Sequence, residues 1–187
     1  LEEIVGGLEG GSSVAFASGM AGIAAVLDEL ATGAVVALPD DCYQGVAALA
    51  AAGERRGRWT VHRVDVGDTP GWLRMCEVAD LVWLESPSNP LLTLPDLEAA
   101  SAHPAPVVVD STASTPVYLR ALGQGADFVL HSATKFLGGH HDVLLGAVVC
   151  KTRDDYEQLL QFRSRSGIVA APDAAWLLRR SLETLEL

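Results

Sequence analysis

Short apolar runs recur along the chain and alternate with longer segments of helical composition. The runs have the length of buried strands and cover residues 14–17, 34–38, 61–65, 81–84, 107–109, 128–130 and 144–150. The predicted helices cover residues 1–8, 19–31, 44–52, 72–78, 94–102, 152–165 and 170–187. This alternation with short loops predicts an α/β fold, a three-layer and mostly parallel sheet with helices on both faces.

Residues suited to binding or catalysis follow several of these strands. Those just past a predicted strand, or opening the helix after one, are Gly19, Met20, Tyr43, Asn89, Asp110, Ser132, Thr134 and Lys135. Ligands of parallel α/β sheets collect outside the carboxyl ends of the strands. Because five separate places in the chain point to this edge, we predict a functional site there.

Each of these features has an ordinary structural interpretation when it is taken alone. The helix after Ser18 has a capped N-terminus, which suits an anion but also suits a plain core helix. A tyrosine such as Tyr43 often covers the edge of a core, and Asn89 between two prolines could only cap a turn. The lysine segment could be a surface loop, although its position after a strand predicts that Lys135 is held in place.

Composition and charge narrow the classes of partner. The chain has 187 residues, 13 Lys and Arg against 24 Asp and Glu, and a net charge of −11. A nucleic-acid backbone or an anionic membrane is therefore not an expected partner, whereas a small anionic ligand in a local pocket remains compatible. The three cysteines lack metal-ligand spacing and favour reduced thiols in a cytoplasmic protein. No apolar run has the length of a membrane span.

Together the residues at this edge describe a pyridoxal phosphate site. A helix N-terminus and two hydroxyls would hold a phosphate, and Lys135 would form an imine with the cofactor's carbonyl and later move protons. Asp110 would keep the pyridine nitrogen protonated, and Tyr43 would stack on the ring. Asn89 would contact the ring hydroxyl or the substrate carboxylate.

Four motifs resemble the cystathionine γ-synthase/γ-lyase family of sulfur amino-acid enzymes. They are Ser18-Gly-Met-Ala, Glu85-Ser-Pro-Ser-Asn-Pro90, Asp110-Ser-Thr and His131-Ser-Ala-Thr-Lys-Phe-Leu-Gly-Gly-His. The resemblance spans nearly the whole chain and implies the aspartate-aminotransferase-like fold. It also implies that the phosphate is bound at Gly19, Met20, Ser132 and Thr134, that Thr112 belongs to the cofactor site, and that Tyr43 takes part in acid–base steps.

The chain departs from the family pattern near the predicted substrate pocket. Tyr43-Gln-Gly-Val stands where relatives usually have Tyr-Gly-Gly-Thr, and Ser111-Thr112-Ala113 where Asn-Thr-Phe is usual. His141 stands where Ser is common. Ala113 opens space near the ring. The departures leave the cofactor residues unchanged and fall in the predicted substrate pocket.

The resemblance implies that residues 1–187 are the large, cofactor-binding domain, without the N-terminal arm and C-terminal domain of the family. In the family, the arginine that binds the substrate carboxylate belongs to the C-terminal domain. We therefore interpret four arginines near the chain's end as a solvated helix face: Arg163, Arg165, Arg179 and Arg180. Relatives form dimers and tetramers, which predicts a homo-oligomer.

The predicted reaction is γ-elimination, of the cystathionine or methionine γ-lyase type. The alternatives are γ-replacement, of the cystathionine γ-synthase or O-acylhomoserine sulfhydrylase type, and a module that binds the cofactor without turnover. We predict no metal site at His140-His141-Asp142, because adjacent histidines point apart in most backbones. A nicotinamide-binding domain is disfavoured because no G-x-G-x-x-G follows the first strand.

Overall fold

Seven strands form one sheet in the computed structural model, which describes residues 1–187, and their order is β1-β7-β6-β5-β4-β2-β3. The strands are β1 (Ser12–Phe16), β2 (Ala34–Pro39), β3 (Trp59–Val64), β4 (Leu81–Glu85), β5 (Val107–Asp110), β6 (Phe128–His131) and β7 (Gly146–Cys150). The helices are α1 (Glu2–Glu9), α2 (Gly19–Asp28), α3 (Gln44–Arg55), α4 (Thr69–Cys76), α5 (Leu97–Ser101), α6 (Thr115–Tyr118), α7 (Arg153–Ser166) and α8 (Pro172–Ser181).

The direction of the strands brings most of their carboxyl ends to one edge. β2 to β6 pair in parallel, whereas β7 is antiparallel to both β6 and β1. β1 therefore runs in the same direction as β6, so that six of the seven strands end at the same edge. The mostly parallel sheet predicted from the sequence is confirmed.

Helices cover both faces of the sheet because successive side chains on a strand point in opposite directions. On β5, Val108 packs in one apolar cluster with residues of α2, α3 and α7. Val107 and Val109 pack in a second cluster with residues of α1, α4 and α5. All three valines are fully buried, as expected for a strand covered on both faces.

Several helix boundaries differ from the prediction. α4 begins three residues earlier than predicted, because the Asp68 carboxylate accepts the backbone N–H of Gly71 and caps the helix there. α5 is shorter than predicted and begins after Asp96, which caps it in the same way. α6 and the 3-10 segment Ala121–Gln124 were not predicted. None of these helices combines the length and the hydrophobicity that a membrane span requires.

A buried ionisable pair fastens α1 to the sheet. The Nε2 of His131 lies 2.8 Å from Oε1 of Glu9, and both side chains are completely inaccessible to solvent. Since His131 immediately precedes Ser132, the pair connects the first helix to the start of the predicted lysine segment. Removing one partner leaves the other buried without a hydrogen bond, which is costly.

We expect Glu9→Ala to lower the free energy of unfolding by about 3 to 5 kcal/mol, the usual cost of breaking a buried pair. Chemical denaturation of the native chain and of Glu9→Ala measures the difference in the free energy of unfolding. The matched control is Glu3→Ala, which removes an exposed carboxylate from the same helix. A loss no larger than that of the control would contradict the structural role of the pair.

Candidate active site

A cavity of about 210 Å³ opens at the carboxyl edge of the sheet. It is lined by side chains from the ends of β2, β4, β5 and β6 and from the start of α2. All nine residues predicted for the cofactor site lie in its wall: Gly19, Met20, Tyr43, Asn89, Asp110, Thr112, Ser132, Thr134 and Lys135. The structure therefore brings together every residue of the predicted site, while their individual roles remain predictions.

The N-terminus of α2 forms one end of the cavity. The Ser18 hydroxyl accepts the backbone N–H of Ala21, and the first main-chain bonds of the helix run to Ser18 from Ala21 and Gly22. Gly19 and Met20 come before the first of these bonded residues. The helix therefore offers no carbonyl acceptor to their N–H groups. A Cβ atom on Gly19 would lie 3.0 Å from Cβ of Ser132, so glycine allows the close approach of these two segments.

The three hydroxyls near this helix end have different surroundings. The Thr112 hydroxyl accepts the backbone N–H of Ser132 at 2.8 Å, which fixes the backbone of the lysine segment. The Thr134 hydroxyl both donates to the carbonyl of Leu145 and accepts its N–H. The Ser132 hydroxyl has no partner in the protein and is the most available of the three for an anion beside the helix.

Asp110 lines the cavity and forms no salt bridge with a basic side chain. Its side chain is buried, and Oδ1 accepts the backbone N–H of Thr112 at 3.0 Å. Burial raises the pKa of Asp110 above its ordinary value, whereas the hydrogen bonds from Thr112 oppose this rise. A buried carboxylate is stabilised by a cation, so Asp110 is suited to a protonated ring nitrogen.

Lys135 is the only one of the chain's two lysines that lines the cavity. Its backbone N–H donates to the carbonyl of Ser132 at 2.9 Å. Its side chain is exposed and takes part in no ion pair, in contrast to the expectation that the whole residue is held. Lys151 instead contacts the Asp127 carboxylate at 3.5 Å and donates to the Gly125 carbonyl. The cavity therefore contains one unpaired primary amine.

Tyr43 and Asn89 form the side of the cavity next to β4. The Tyr43 ring is half-buried, and a Cβ atom on Gly45 would lie 2.5 Å from both Cε1 of the ring and Sδ of Met20. Gly45 therefore gives the ring its place beside Met20. Asn89 is exposed and follows β4 in the Glu85-to-Pro90 loop, from which it reaches the cavity.

Glu85 is a cavity residue that the sequence prediction missed. It is the last residue of β4 and pairs in register with Asp110 on β5. Burial, followed by the nearby Asp110 carboxylate, raises the pKa of Glu85 to about 8. The rule that identified Asp110, a carboxylate at the end of a buried strand, applies equally to Glu85 and could have found it.

A second cavity of about 660 Å³, the outer cavity, adjoins the first one. The two share Glu85, Asn89, Thr112, Thr134 and Lys135. The outer wall includes Ala113 and His141, two positions at which the sequence departs from the family pattern. These departures therefore lie in the space beyond the predicted cofactor residues, as expected for the substrate pocket.

The four arginines near the chain's end do not line either cavity. The interpretation as a solvated face is wrong for Arg163, whose guanidinium is half-buried, bonds Glu2 and donates to the Ala15 carbonyl at 2.9 Å. Arg180 is partly exposed and bonds Asp142 at 2.6 Å. These contacts hold α7 and α8 to the rest of the chain.

Comparison with known proteins identifies the family. The model of the Cys/Met metabolism PLP-dependent enzymes matches residues 1–187. The chain therefore belongs to this family of pyridoxal-phosphate-dependent enzymes. The membership confirms the resemblance read from the four motifs and the choice of cofactor.

Three relatives illustrate the similarity. The chain is 37% identical to a cystathionine beta-lyase of Lactococcus lactis subsp. cremoris, with 100% of this chain and 51% of the relative covered. It is 39% identical to a putative cystathionine gamma-lyase of Streptomyces coelicolor, with 100% and 50% covered. The structure of cystathionine gamma synthase from Xanthomonas oryzae in complex with cystathionine matches with a TM-score of 0.93 and 36% identity, over 99% of this chain and 50% of the other.

These comparisons establish the fold, but they indicate only the group of reactions that the family catalyses. The aspartate-aminotransferase-like fold predicted from the motifs is confirmed by the close superposition at more than 30% identity. The relatives carry the names of lyases and of a synthase, so membership alone does not select one reaction. The chain spans about half the length of the relatives that it matches.

The residues of the cavity fit pyridoxal phosphate. Free helix N–H groups and the Ser132 hydroxyl suit its phosphate, buried Asp110 suits its ring nitrogen, and Lys135 offers an unpaired amine. Gly19 leaves the phosphate end open, because a side chain there would fill the gap beside Ser132. The donor set therefore matches the cofactor on which the family depends.

We expect Gly19→Ala to weaken the binding of pyridoxal phosphate about tenfold, the effect of losing one good hydrogen-bonding contact. The added methyl group would lie 3.0 Å from Cβ and 3.1 Å from Oγ of Ser132, and would push this residue from its place. Titration followed by the cofactor's absorbance measures the affinity. Gly7→Ala is the control, since open space surrounds that position. Equal affinities for the two variants would contradict the assigned phosphate end.

Proposed function

We propose that residues 1–187 are the cofactor-binding large domain of an enzyme that acts on a sulfur amino acid. The observation that carries this proposal is the convergence of all nine predicted residues on one cavity. A phosphate end, a buried acid and an unpaired amine occur there together, each supplied by a different element of the fold. Membership of the Cys/Met metabolism family supports the same conclusion.

Each residue has a proposed task toward the cofactor. Gly19 and Met20 bind the phosphate through their N–H groups, and Ser132 binds it through its hydroxyl. Thr134 and Thr112 complete this end. To donate to a phosphate, Thr134 would have to release the Leu145 carbonyl, because its single hydroxyl proton points to that carbonyl. Thr112 holds the backbone of Ser132.

The remaining residues act on the ring and on the reacting atoms. When bound, pyridoxal phosphate supplies an aldehyde that bonds to an amine and a ring that accepts electrons from the substrate's α-carbon. Asp110 holds the proton on the ring nitrogen, and Lys135 moves protons at the α-carbon. Tyr43 stacks on the ring and serves in acid–base steps, whereas Asn89 orients the ring hydroxyl or the substrate carboxylate.

The reaction that we propose is γ-elimination from cystathionine or methionine. The putative cystathionine gamma-lyase of Streptomyces coelicolor, at 39% identity, supports this choice. γ-Replacement on an acylated homoserine is the second candidate, and the cystathionine gamma synthase structure at a TM-score of 0.93 supports it. Both reactions use the same cofactor residues and differ in what attacks after the leaving group departs.

We further propose that the protein associates as a homo-oligomer, either a dimer or a tetramer. Large apolar side chains on the surface support this, with Tyr118 at 88% and Trp176 at 65% exposure. Such residues are enriched at interfaces between proteins.

Product analysis tests the proposed reaction. The protein that contains this chain is loaded with pyridoxal phosphate and offered cystathionine, methionine and O-acylhomoserines, each with and without a thiol. γ-Elimination predicts 2-oxobutanoate, ammonia and a thiol without any added thiol, the thiol being cysteine from cystathionine or methanethiol from methionine. Pyruvate and homocysteine from cystathionine would instead establish β-elimination. Lys135→Ala is expected to lose at least about 10²-fold in rate, because general acid–base catalysis alone contributes 10²- to 10⁴-fold.

Two other results would contradict γ-elimination. A new thioether that forms only from an acylated homoserine and a thiol would establish γ-replacement instead. Cofactor binding without product from any of these substrates would establish a binding module. The matched control is Lys151→Ala, which removes the lysine outside the cavity and is expected to retain activity.

A further inference from the structure

Glu85 occupies a position in the site that the proposed reaction does not use. Its carboxyl group lies at the end of β4, beside Asp110 in the register of the sheet, and only 8% of the residue is exposed. It lines both the inner and the outer cavity. A buried carboxyl without a basic partner is costly to keep, so its contacts indicate what it does for the site.

The contacts of Glu85 run to the two segments that carry Tyr43 and Asn89. Its Oε2 accepts the backbone N–H of Tyr43 at 2.9 Å. The backbone N–H of Asn89 lies near the same carboxyl group and lowers its pKa slightly. Tyr43 is the N-cap residue of α3 and its own side chain does not cap the helix. The carboxyl group therefore ties the start of α3 to the end of β4.

A second contact links the same two segments farther from the cofactor residues. The Ser88 hydroxyl donates to Oδ2 of Asp41 at 2.7 Å. This bond does not involve Glu85, so we expect it to persist in a Glu85 variant. It does not fix the backbone of Tyr43, which is the contribution of Glu85.

The charge of Glu85 depends on its neighbours. The groups that face it are Asp41 and Cys42 before α3, Asp110 on β5, and Lys135 after β6. Burial and then Asp110 raise the pKa of Glu85 from 4.5 to about 8. At neutral pH the group is therefore mostly a neutral acid, which still accepts N–H bonds without adding a charge beside Asp110.

We propose that Glu85 is a positioning residue of the cofactor site, clamping the backbone of Tyr43 so that the tyrosine ring flanks the cofactor ring. This inference rests on the proposed function for its purpose, while the clamp itself is a property of the chain without cofactor. Glu85 acts through Tyr43, and it carries no chemical step of its own.

The clamp is tested first in the cofactor-free chain by amide hydrogen exchange. Glu85→Ala removes the acceptor and is expected to accelerate exchange at Tyr43 by about tenfold or more, the effect of losing a hydrogen bond to a buried polar group. Glu85→Gln retains a side-chain oxygen and is expected to keep exchange close to that of the native chain. Glu98→Ala, at an exposed position of α5, is the control. Unchanged exchange in Glu85→Ala would overturn the clamp.

Cofactor affinity tests the purpose of the clamp. At pH 7 we expect Glu85→Ala to bind pyridoxal phosphate about tenfold more weakly than the native chain, and Glu85→Gln to bind it nearly as well. Between pH 7 and pH 9 the native chain acquires a negative charge at Glu85 and loses affinity for the anionic cofactor, whereas Glu85→Gln does not acquire it. Native affinity in Glu85→Ala would overturn the positioning role.

The pH dependence of stability supplies an independent readout. Because the folded chain raises the pKa of Glu85 from 4.5 to about 8, this carboxyl favours the folded state less as the pH rises between these values. The melting temperature of Glu85→Gln is therefore expected to rise relative to that of the native chain as the pH increases from 5 to 8.

The failures of the two proposals can be told apart. A native chain that binds no pyridoxal phosphate would contradict the proposed function, whereas normal exchange in Glu85→Ala contradicts only the clamp.

Discussion

The parallel pairing of β4, β5 and β6 is the constraint on which the site depends. The register sets Glu85 beside Asp110, and Asp110 beside Leu130, which precedes His131 and Ser132 by one and two residues. Because the backbone hydrogen bonds fix this register, the carboxyl groups and the lysine segment meet at one edge of the sheet, where the Thr112 hydroxyl accepts the backbone N–H of Ser132. The buried Glu9 and His131 pair then fastens the first helix to the same strand end.

The reversed strand β7 completes this arrangement. By lying antiparallel between β1 and β6, it allows β1 to run in the same direction as the other strands. The helix that follows β1 therefore starts at the functional edge, and its N-terminus reaches Ser132. The close approach at Gly19 and the hydrogen bonds between Thr134 and Leu145 join the phosphate end to the start of β7.

Much of this could be predicted from the sequence, because strand ends and capped helices leave local signals. The apolar run before Asp110 and the cap at Ser18 each marked a place at the edge, and the parallel topology made those places meet. The exposure of the Lys135 side chain and the internal bonds of the Thr134 hydroxyl could not be predicted, since they depend on which atoms approach in space. Arg163 was misread for the same reason, because its partner Glu2 lies at the other end of the chain. Glu85 was missed although its signal was present.

The electrostatics of the cavity explain why a cationic ring and a single amine fit it. Asp110 is buried without a basic partner, Glu85 is kept mostly neutral beside it, and Lys135 has no ion pair in a chain of net charge −11.

Reduction with borohydride in the presence of pyridoxal phosphate, followed by peptide mass spectrometry, tests this account directly. It predicts that the cofactor becomes fixed to Lys135 and not to Lys151. Fixation to Lys151, or undiminished fixation in Lys135→Ala, would contradict it.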